Sequence, residues 1–169
     1  MAKFGFLSVL EEELDKHLQY DFAMDWDKKN HTVEVTFILE AQNSSAIETV
    51  DDQGETSSED IVFEDYVLFY NPVKSRFDAE DYLVTIPYEP KKGLSREFLA
   101  YFAETLNEVA TEGLSDLMDF LTDDSIEEFG LSWDTDAFEN GRAELKETEF
   151  YPIRDIRLDG FAKMWIYIG

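Results

Sequence analysis

Carboxylates are the side chains of this sequence most able to do chemistry, since 39 of 169 residues are Asp or Glu against 14 Lys and Arg. Grouped carboxylates hold divalent cations, and single ones act as acids or bases. Asp134 and Asp136 have the spacing that opens a calcium-binding loop, but Phe138 and Glu139 stand where that loop needs an oxygen ligand and a glycine. Because acidic pairs are so frequent here, we predict no metal, cofactor or catalytic site from them.

One acidic series is regular enough to name. Its members are Glu104, Glu108 and Glu112, with Asp116 at its edge and Glu97 and Asp119 near the same side of a predicted helix. Residues 101–150 hold 15 acids and two bases, so little compensating charge lies nearby. We call Glu104, Glu108, Glu112 and Asp119 the acidic face. It is either a solvated helix surface or a docking surface for a cationic partner.

Other reactive residue types are scarce. The absence of cysteine excludes disulfides, thiolate metal sites and cysteine catalysis. His17 and His31 have no partner histidine at metal spacing, so we predict structural or solvent-exposed roles for both. Lys91-Lys92-Gly93-Leu94-Ser95 precedes a helix, whose N-terminus can hold an anion, but it lacks the phosphate-loop glycine spacing. We interpret it as a solvated loop with Ser95 as the helix cap.

The net charge of −25 limits the partner classes. Such a surface repels phosphate backbones and anionic lipids, so we expect no direct nucleic-acid or membrane binding. The amino terminus lacks the features of a signal peptide, and no apolar run approaches the roughly 20 residues of a membrane helix. We therefore predict a cytoplasmic protein.

Two segments have helical periodicity. Apolar residues recur every three or four positions in each segment, which places them on one side of a helix. The first segment contains Leu7, Leu10, Leu14 and Leu18. The second contains Phe98, Phe102, Leu106, Val109, Ala110, Leu117 and Leu121. Ser8 with Glu11 predicts a capping box in the first helix. Gly113 either ends one helix and starts another or allows close packing in a single bent helix, and we favour a break or bend.

Alternating residues predict strands elsewhere. Residues 20–26 and 31–41 alternate large and polar side chains around a four-residue connection, which predicts an antiparallel hairpin. Residues 61–70 and 82–88 predict a second hairpin, with Pro87 at a strand end or sheet edge. Residues 161–168 are apolar on both alternations, which favours a central strand or a subunit contact.

Four further segments have short-range patterns of their own. Residues 42–60 hold six acids and no base, which predicts a mobile acidic surface loop. Ser125 with Glu128 predicts a short capped helical turn, residues 131–133 a brief strand, and Asn140-Gly141 a turn.

The order of elements predicts one α+β domain over residues 1–169. We expect a mainly antiparallel sheet of about five to seven strands, with the first helix and the long central helix on one face.

Three stretches resemble an uncharacterised family of cytoplasmic proteins of low-GC Gram-positive bacteria, lactobacilli and enterococci among them. These stretches are MAKFGFLSVLEEELDKHLQYDFAMDWDKKNHTVEVTFILEAQN, GLSREFLAYFAETLNEVATEGLSDLMDFL and FAKMWIYIG. The resemblance covers most of the chain and implies a small bacterial cytoplasmic domain. It implies no activity and no functional residues.

The sequence leaves enzymatic activity open and favours a non-enzymatic binding or regulatory protein that uses its acidic surface. The alternative is a carboxylate-based enzyme or small-ligand binder with a pocket between sheet and helices. The tyrosines considered for that pocket are Tyr20, Tyr66, Tyr82 and Tyr151. We leave open whether the protein is a monomer or a homodimer formed through the terminal strand.

Overall fold

A computed structural model of the chain describes residues 5–41, 49–50, 56–57, 61–122, 129–152 and 163–168; for 49–50, 56–57 and 163–168 it describes the backbone alone. The helices are α1 (Phe6–His17), α2 (Arg96–Thr122) and α3 (Thr135–Ala143), with a 3-10 turn at Ala79–Asp81. The strands are β1 (Phe22–Asp27), β2 (Thr32–Ala41), β3 (Thr49–Val50), β4 (Thr56–Ser57), β5 (Ile61–Tyr70), β6 (Val84–Pro87), β7 (Leu94–Ser95), β8 (Phe150–Tyr151) and β9 (Lys163–Ile168). None of the helices in these ranges is apolar over a stretch long enough to cross a bilayer.

A five-stranded sheet in the order β6-β5-β2-β1-β9 forms the centre of the fold. Strands β1 and β2 form the predicted antiparallel hairpin, with Asp27 opposite Thr32. Strand β9 pairs with β1 and is the outermost described strand on that side, so among the described strands it is not central as one prediction had it. The pairs β3–β4 and β7–β8 form two small additional sheets. The α+β class is confirmed.

The prediction of a second hairpin is wrong. Strands β5 and β6 pair in parallel, with Val67 opposite Val84 and Tyr70 opposite Pro87. Parallel neighbours need a crossover of roughly a dozen residues, and residues 71–83 supply one. The sheet is therefore mixed rather than wholly antiparallel. Strand β6 is an edge strand that ends at Pro87, as predicted.

Helices α1 and α2 cover the same face of the sheet. Phe69 of β5 contacts Phe6 of α1, with ring centroids 6.2 Å apart, and Phe102 of α2, at 5.2 Å. Opposite Phe69 lies Val33, and every second residue from Val33 to Leu39 is fully buried. Burial of such a side chain stabilises the fold by about 1.5–3 kcal/mol, so this aromatic and aliphatic layer is the main source of stability.

Helix α1 begins earlier than predicted. Its N-cap is Gly5, whose φ of 66° lies in the left-handed region, and the carbonyl of Gly5 accepts from the amides of Ser8 and Val9. Ser8 and Glu11 therefore lie inside the helix and form no N-terminal capping box. Because glycine has no side chain, Gly5 avoids the steric cost that other residues meet at positive φ.

Helix α2 is continuous through Gly113, so the predicted break is wrong. A Cβ on Gly113 would meet Cδ2 of Leu131 and would lie 3.6 Å from Cδ1 of Leu39. Gly113 thus allows α2 to pack closely against these two leucines, which was the other interpretation of this glycine. Packing of this kind offsets the roughly 1 kcal/mol that glycine costs inside a helix.

Helix α3 and the irregular residues just before it occupy the region where the sequence predicted a strand and a turn. Residues 131–133 form no strand, and Asn140-Gly141 lies within the last turn of α3. Asp134, which was compared with a calcium loop, instead caps this helix, because its Oδ1 accepts from the amide of Ala137 at 3.0 Å.

Two predicted segments lie outside the described residues. They are the Ser125–Glu128 capping box and, apart from β3 and β4, the acidic loop at 42–60.

Candidate functional site

The acidic face lies on the exposed side of α2. The buried residues of α2 are Phe98, Leu99, Phe102, Ala103, Leu106, Ala110, Gly113 and Leu117. Glu104, Glu108, Glu112 and Asp119 are all exposed on the side away from them, as the helical period predicts. Oε1 of Glu104 lies 3.7 Å from Nδ1 of His17 at the end of α1. The four carboxylates form a row along the helix and do not converge on a point.

Glu97 does not belong to this face. Its Oε1 accepts from the amides of Thr148 and Glu149 at 2.7 and 3.1 Å, and its Oε2 accepts from the Thr148 hydroxyl at 3.2 Å. Desolvation would raise the pKa of Glu97, but these hydrogen bonds, mainly from the two amides, outweigh it and lower the pKa. Glu97 therefore fixes the 148–149 segment against α2.

Arg96 connects three parts of the chain at the start of α2. Its guanidinium lies 2.9 Å from Glu12, 3.5 Å from Glu13 and 3.6 Å from Glu149. The hydrogen bond that Arg96 donates to Glu12 is the largest cause of the raised Arg96 pKa. Because Glu13 is buried and the guanidinium is engaged by three carboxylates, this base contributes to folding rather than to neutralising the acidic face.

A cavity of about 420 Å³ opens beyond the ends of β5 and β6. Its lining comes from the turn after β5, the segment from β6 to β7, the end of α3 and β8. The lining residues are Asn71, Pro72, Val73, Pro87, Tyr88, Glu89, Pro90, Lys92, Gly93, Leu94, Arg142, Glu147 and Phe150. Sequence reasoning missed this cavity. The one sequence feature that pointed to it was the Lys91–Ser95 segment. Three residues of this segment, Lys92, Gly93 and Leu94, line the cavity.

Charged groups of both signs line this cavity. The Arg142 guanidinium lies 3.8 Å from the ring centroid of Phe98, and its Nη2 lies 3.5 Å from Oε1 of Glu147. The same Glu147 oxygen accepts from Ser95 Oγ at 2.8 Å. Ser95 Oγ also accepts from the Phe98 amide at 2.9 Å, which confirms Ser95 as the cap of α2.

Hydrogen bonds hold the cavity wall near Tyr88 in place. Asn71 Oδ1 accepts from the amides of Val73 and Lys74 at 2.9 and 3.2 Å and closes the turn after β5. Tyr88 Oη and Ser75 Oγ both donate to the carbonyl of His31 at 2.8 Å. Burial raises the pKa of Tyr88 to about 12, so its hydroxyl stays a donor at neutral pH.

The tyrosines considered as pocket residues are spread over the fold. Tyr20 Oη lies 2.9 Å from Thr111 Oγ1, Tyr66 donates to Glu64, and Tyr151 lies near Arg96. Tyr82 lines a smaller cavity of about 280 Å³ beside Trp133 and Phe138. These four side chains therefore form no common site.

The titratable side chains do not cluster as metal ligands do. Over the described ranges, no three of the His, Asp and Glu residues are grouped to hold a metal ion. His17 ends α1 beside two carboxylates, Glu13 at 3.8 Å and Glu104, and His31 precedes β2 with a positive φ of 58°.

Comparison with known proteins places the chain in a family. A family model described as a protein of unknown function (DUF3013) matches residues 1–153. A crystal structure of a conserved protein of unknown function from Enterococcus faecalis is similar, with a TM-score of 0.74 and 46% sequence identity over 90% of this chain and 97% of that chain. None of the curated proteins that were compared matches. These findings confirm the resemblance noted from the sequence.

Proposed function

Given that the chain belongs to the DUF3013 family of proteins of unknown function, we propose that it is a non-enzymatic binding protein whose acidic face binds a cationic protein partner. The proposed partner carries a lysine- or arginine-rich segment. We also propose the cytoplasm as its compartment, since the chain contains no cysteine and so uses no disulfide to stay folded.

The exposure of the acidic face supports this proposal. Glu104, Glu108, Glu112 and Asp119 stand in one row on the exposed side of α2. The strongest neighbouring base, Arg96, is engaged by carboxylates at the start of the helix. A row of exposed carboxylates, of which Glu104 has His17 as a neighbour at 3.7 Å, attracts a cationic segment and accelerates its association.

The test measures binding of a lysine-rich peptide to the wild type and to a variant with the acidic face neutralised. That variant carries Glu104→Gln, Glu108→Gln, Glu112→Gln and Asp119→Asn. Each exposed ion pair contributes about 0.2–1 kcal/mol, so we expect the four changes to weaken binding about tenfold. Isothermal titration calorimetry at low and physiological salt gives both affinities.

A control variant separates the acidic face from net charge. It neutralises four exposed acids elsewhere, namely Glu40, Glu80, Asp81 and Glu144. Both variants lose four carboxylates, so they carry the same net charge. Equal weakening in the two variants would assign the effect to total charge and overturn the proposal, and so would unchanged binding by the acidic-face variant.

A second candidate function is the binding of a small ligand. It is favoured by the cavity of about 420 Å³, which falls within the roughly 300–1,000 Å³ typical of ligand sites. No observation favours a reaction at this cavity, so the candidate is a binder rather than an enzyme. The acidic face and the cavity can be tested separately, because no residue of the acidic face lines the cavity.

A further inference from the structure

The cavity beyond β5 and β6 contains groups suited to a particular class of ligand. We propose that it binds a small organic anion whose carboxylate or phosphate group contacts Lys92 and Arg142. The proposal rests on the second candidate function and is independent of the acidic face. The cavity lies beyond the carboxyl ends of the parallel pair β5 and β6, which is the side at which ligands bind in open α/β sheets.

The charge of the cavity lining differs from that of the protein. Lys92 and Arg142 balance Glu89 and Glu147, whereas the whole chain has a net charge of −25. Repulsion from distant carboxylates is screened beyond about 8 Å at physiological salt. An anion therefore meets far less repulsion in this cavity than over the acidic face.

Aromatic rings position both bases. The Lys92 ammonium lies 4.3 Å from the ring centroid of Phe150, and the Arg142 guanidinium lies 3.8 Å from that of Phe98. Cation–π contacts of this kind restrict long flexible side chains. Side chains that are already ordered lose less conformational entropy when a ligand binds, which favours affinity.

Arg142 retains hydrogen-bonding capacity. Its contact with Glu147 is long, at 3.5 Å, and the Glu147 oxygen involved is shared with a shorter bond of 2.8 Å from Ser95. A guanidinium has five N–H donors and binds carboxylates or phosphates in a forked geometry. An incoming anionic group can therefore occupy donors that the Glu147 contact does not use.

The rest of the lining suits the apolar part of an organic ligand. Pro72, Pro87 and Pro90 contribute rigid apolar surface, and Tyr88 and Leu94 are almost fully buried beneath the cavity. The hydrogen bonds of Asn71 and of the His31 carbonyl fix the wall around them. A preformed apolar wall beside a few charged groups is the usual composition of a small-molecule site.

The test uses amide chemical shifts of the full-length, nitrogen-15-labelled protein. Phenyl phosphate and phenylacetate are titrated as organic anions that distinguish phosphate from carboxylate, with benzylamine as the cationic analogue and inorganic phosphate as the bare ion. We expect at least one organic anion to shift amides of Lys92, Gly93, Arg142 and Glu147. This readout is unaffected by whether the lysine-rich peptide binds, so the two functional proposals can fail separately.

Neighbouring lysines provide a matched pair of variants. Lys92 lines the cavity and Lys91 does not, and both side chains are exposed. We expect Lys92→Gln to weaken binding of the organic anion about tenfold, the effect of losing one charged hydrogen bond. Lys91→Gln, which changes net charge equally, is expected to change it by less than about twofold. Arg142→Gln, with folding checked by its amide spectrum, is expected to act like Lys92→Gln.

Several results would overturn the proposal. They are an absence of shifts with every probe at millimolar concentration, shifts that map elsewhere, equal losses in the two lysine variants, or benzylamine binding as tightly as the organic anions. Inorganic phosphate that bound as tightly as phenyl phosphate would contradict the organic character of the ligand.

Discussion

The hydroxyl of Tyr88 donates a hydrogen bond of 2.8 Å to the backbone carbonyl of His31. It joins the residue after β6 to the residue before β2, two strands that lie on either side of β5. The same carbonyl accepts from Ser75, so one half-buried acceptor holds both the β5–β6 crossover and the residue that follows β6. Tyr88 also lines the cavity of about 420 Å³, and its hydrogen bond leads to a prediction that can be measured.

Tyr88→Phe should alter the pH dependence of stability. The folded-state pKa of Tyr88 is about 12, against about 10 in the unfolded chain, so its contribution is complete below pH 10 and is lost as pH rises towards 12. At pH 8 we expect the variant to be less stable by about 1 kcal/mol through its lost hydrogen bond. Urea unfolding at intervals from pH 8 to about pH 11.5 should show the wild type losing this advantage. A constant difference across that range would contradict the assignment.

Gly93→Ala should be strongly destabilising. Gly93 has a φ of 75°, and a Cβ there would collide with the backbone carbonyl of Tyr151. The backbone strain and the collision together are expected to cost roughly 2–5 kcal/mol in the free energy of unfolding. Gly130→Ala is the control, because a Cβ at Gly130 has no described atom within 4 Å, and its effect should stay within about 0.5 kcal/mol. Similar urea midpoints for the two variants would refute the prediction.

Removal of Arg96 should leave Glu13 as a buried carboxylate without its guanidinium. Glu13 is 4% exposed, and the Arg96 Nη1 lies 3.5 Å from its Oε2. We expect Arg96→Leu to destabilise the fold by about 3 kcal/mol, and Glu13→Leu in the same chain to restore part of the loss. Arg76→Leu, at an exposed position, should have little effect. Strict additivity of the Arg96 and Glu13 changes would show that the two side chains do not interact.

Glu97→Gln should weaken the attachment of the 148–149 segment to α2. The amides of Thr148 and Glu149 bind the ionised carboxylate, and the neutral amide of glutamine is a weaker acceptor, so a loss of about 1–2 kcal/mol is expected at neutral pH. Because the folded pKa of Glu97 is lowered, its contribution is present above the unfolded value and lost as pH falls through the folded value. The difference between wild type and variant should therefore shrink below about pH 4 in acid titrations of stability. Glu108→Gln, at an exposed position of the acidic face, is the control and should change stability at neutral pH by no more than about 0.5 kcal/mol.

Local sequence patterns were sufficient for several elements. Helix α1, the β1–β2 hairpin and the Ser95 cap depend on residues within a few positions of one another, and their period or side-chain chemistry is visible directly. The exposure of the acidic face follows for the same reason, because a helix fixes which residues lie opposite its buried stripe. The family resemblance was also visible at this level.

Other features required contacts between distant segments. Glu97 has the same period as the acidic face, and only the return of residues 148–149 to α2 reveals its structural role. A glycine at Gly113 is typical of a helix break. The side chains of Leu131 and Leu39 pack closely against it, however, and this contact explains the glycine. Strand β6 has an ordinary strand pattern, which carries no information on whether its neighbour runs parallel or antiparallel.

Composition and periodicity were enough to predict an acidic α+β protein with an aromatic core and a row of carboxylates along its long helix. They did not predict that Lys92, Arg142 and Glu147 line one cavity, which is visible in the folded chain alone. Periodicity reports the surroundings of residues two to four positions apart. A cavity depends on how crossovers and helix ends meet, and that depends on the packing of the whole chain.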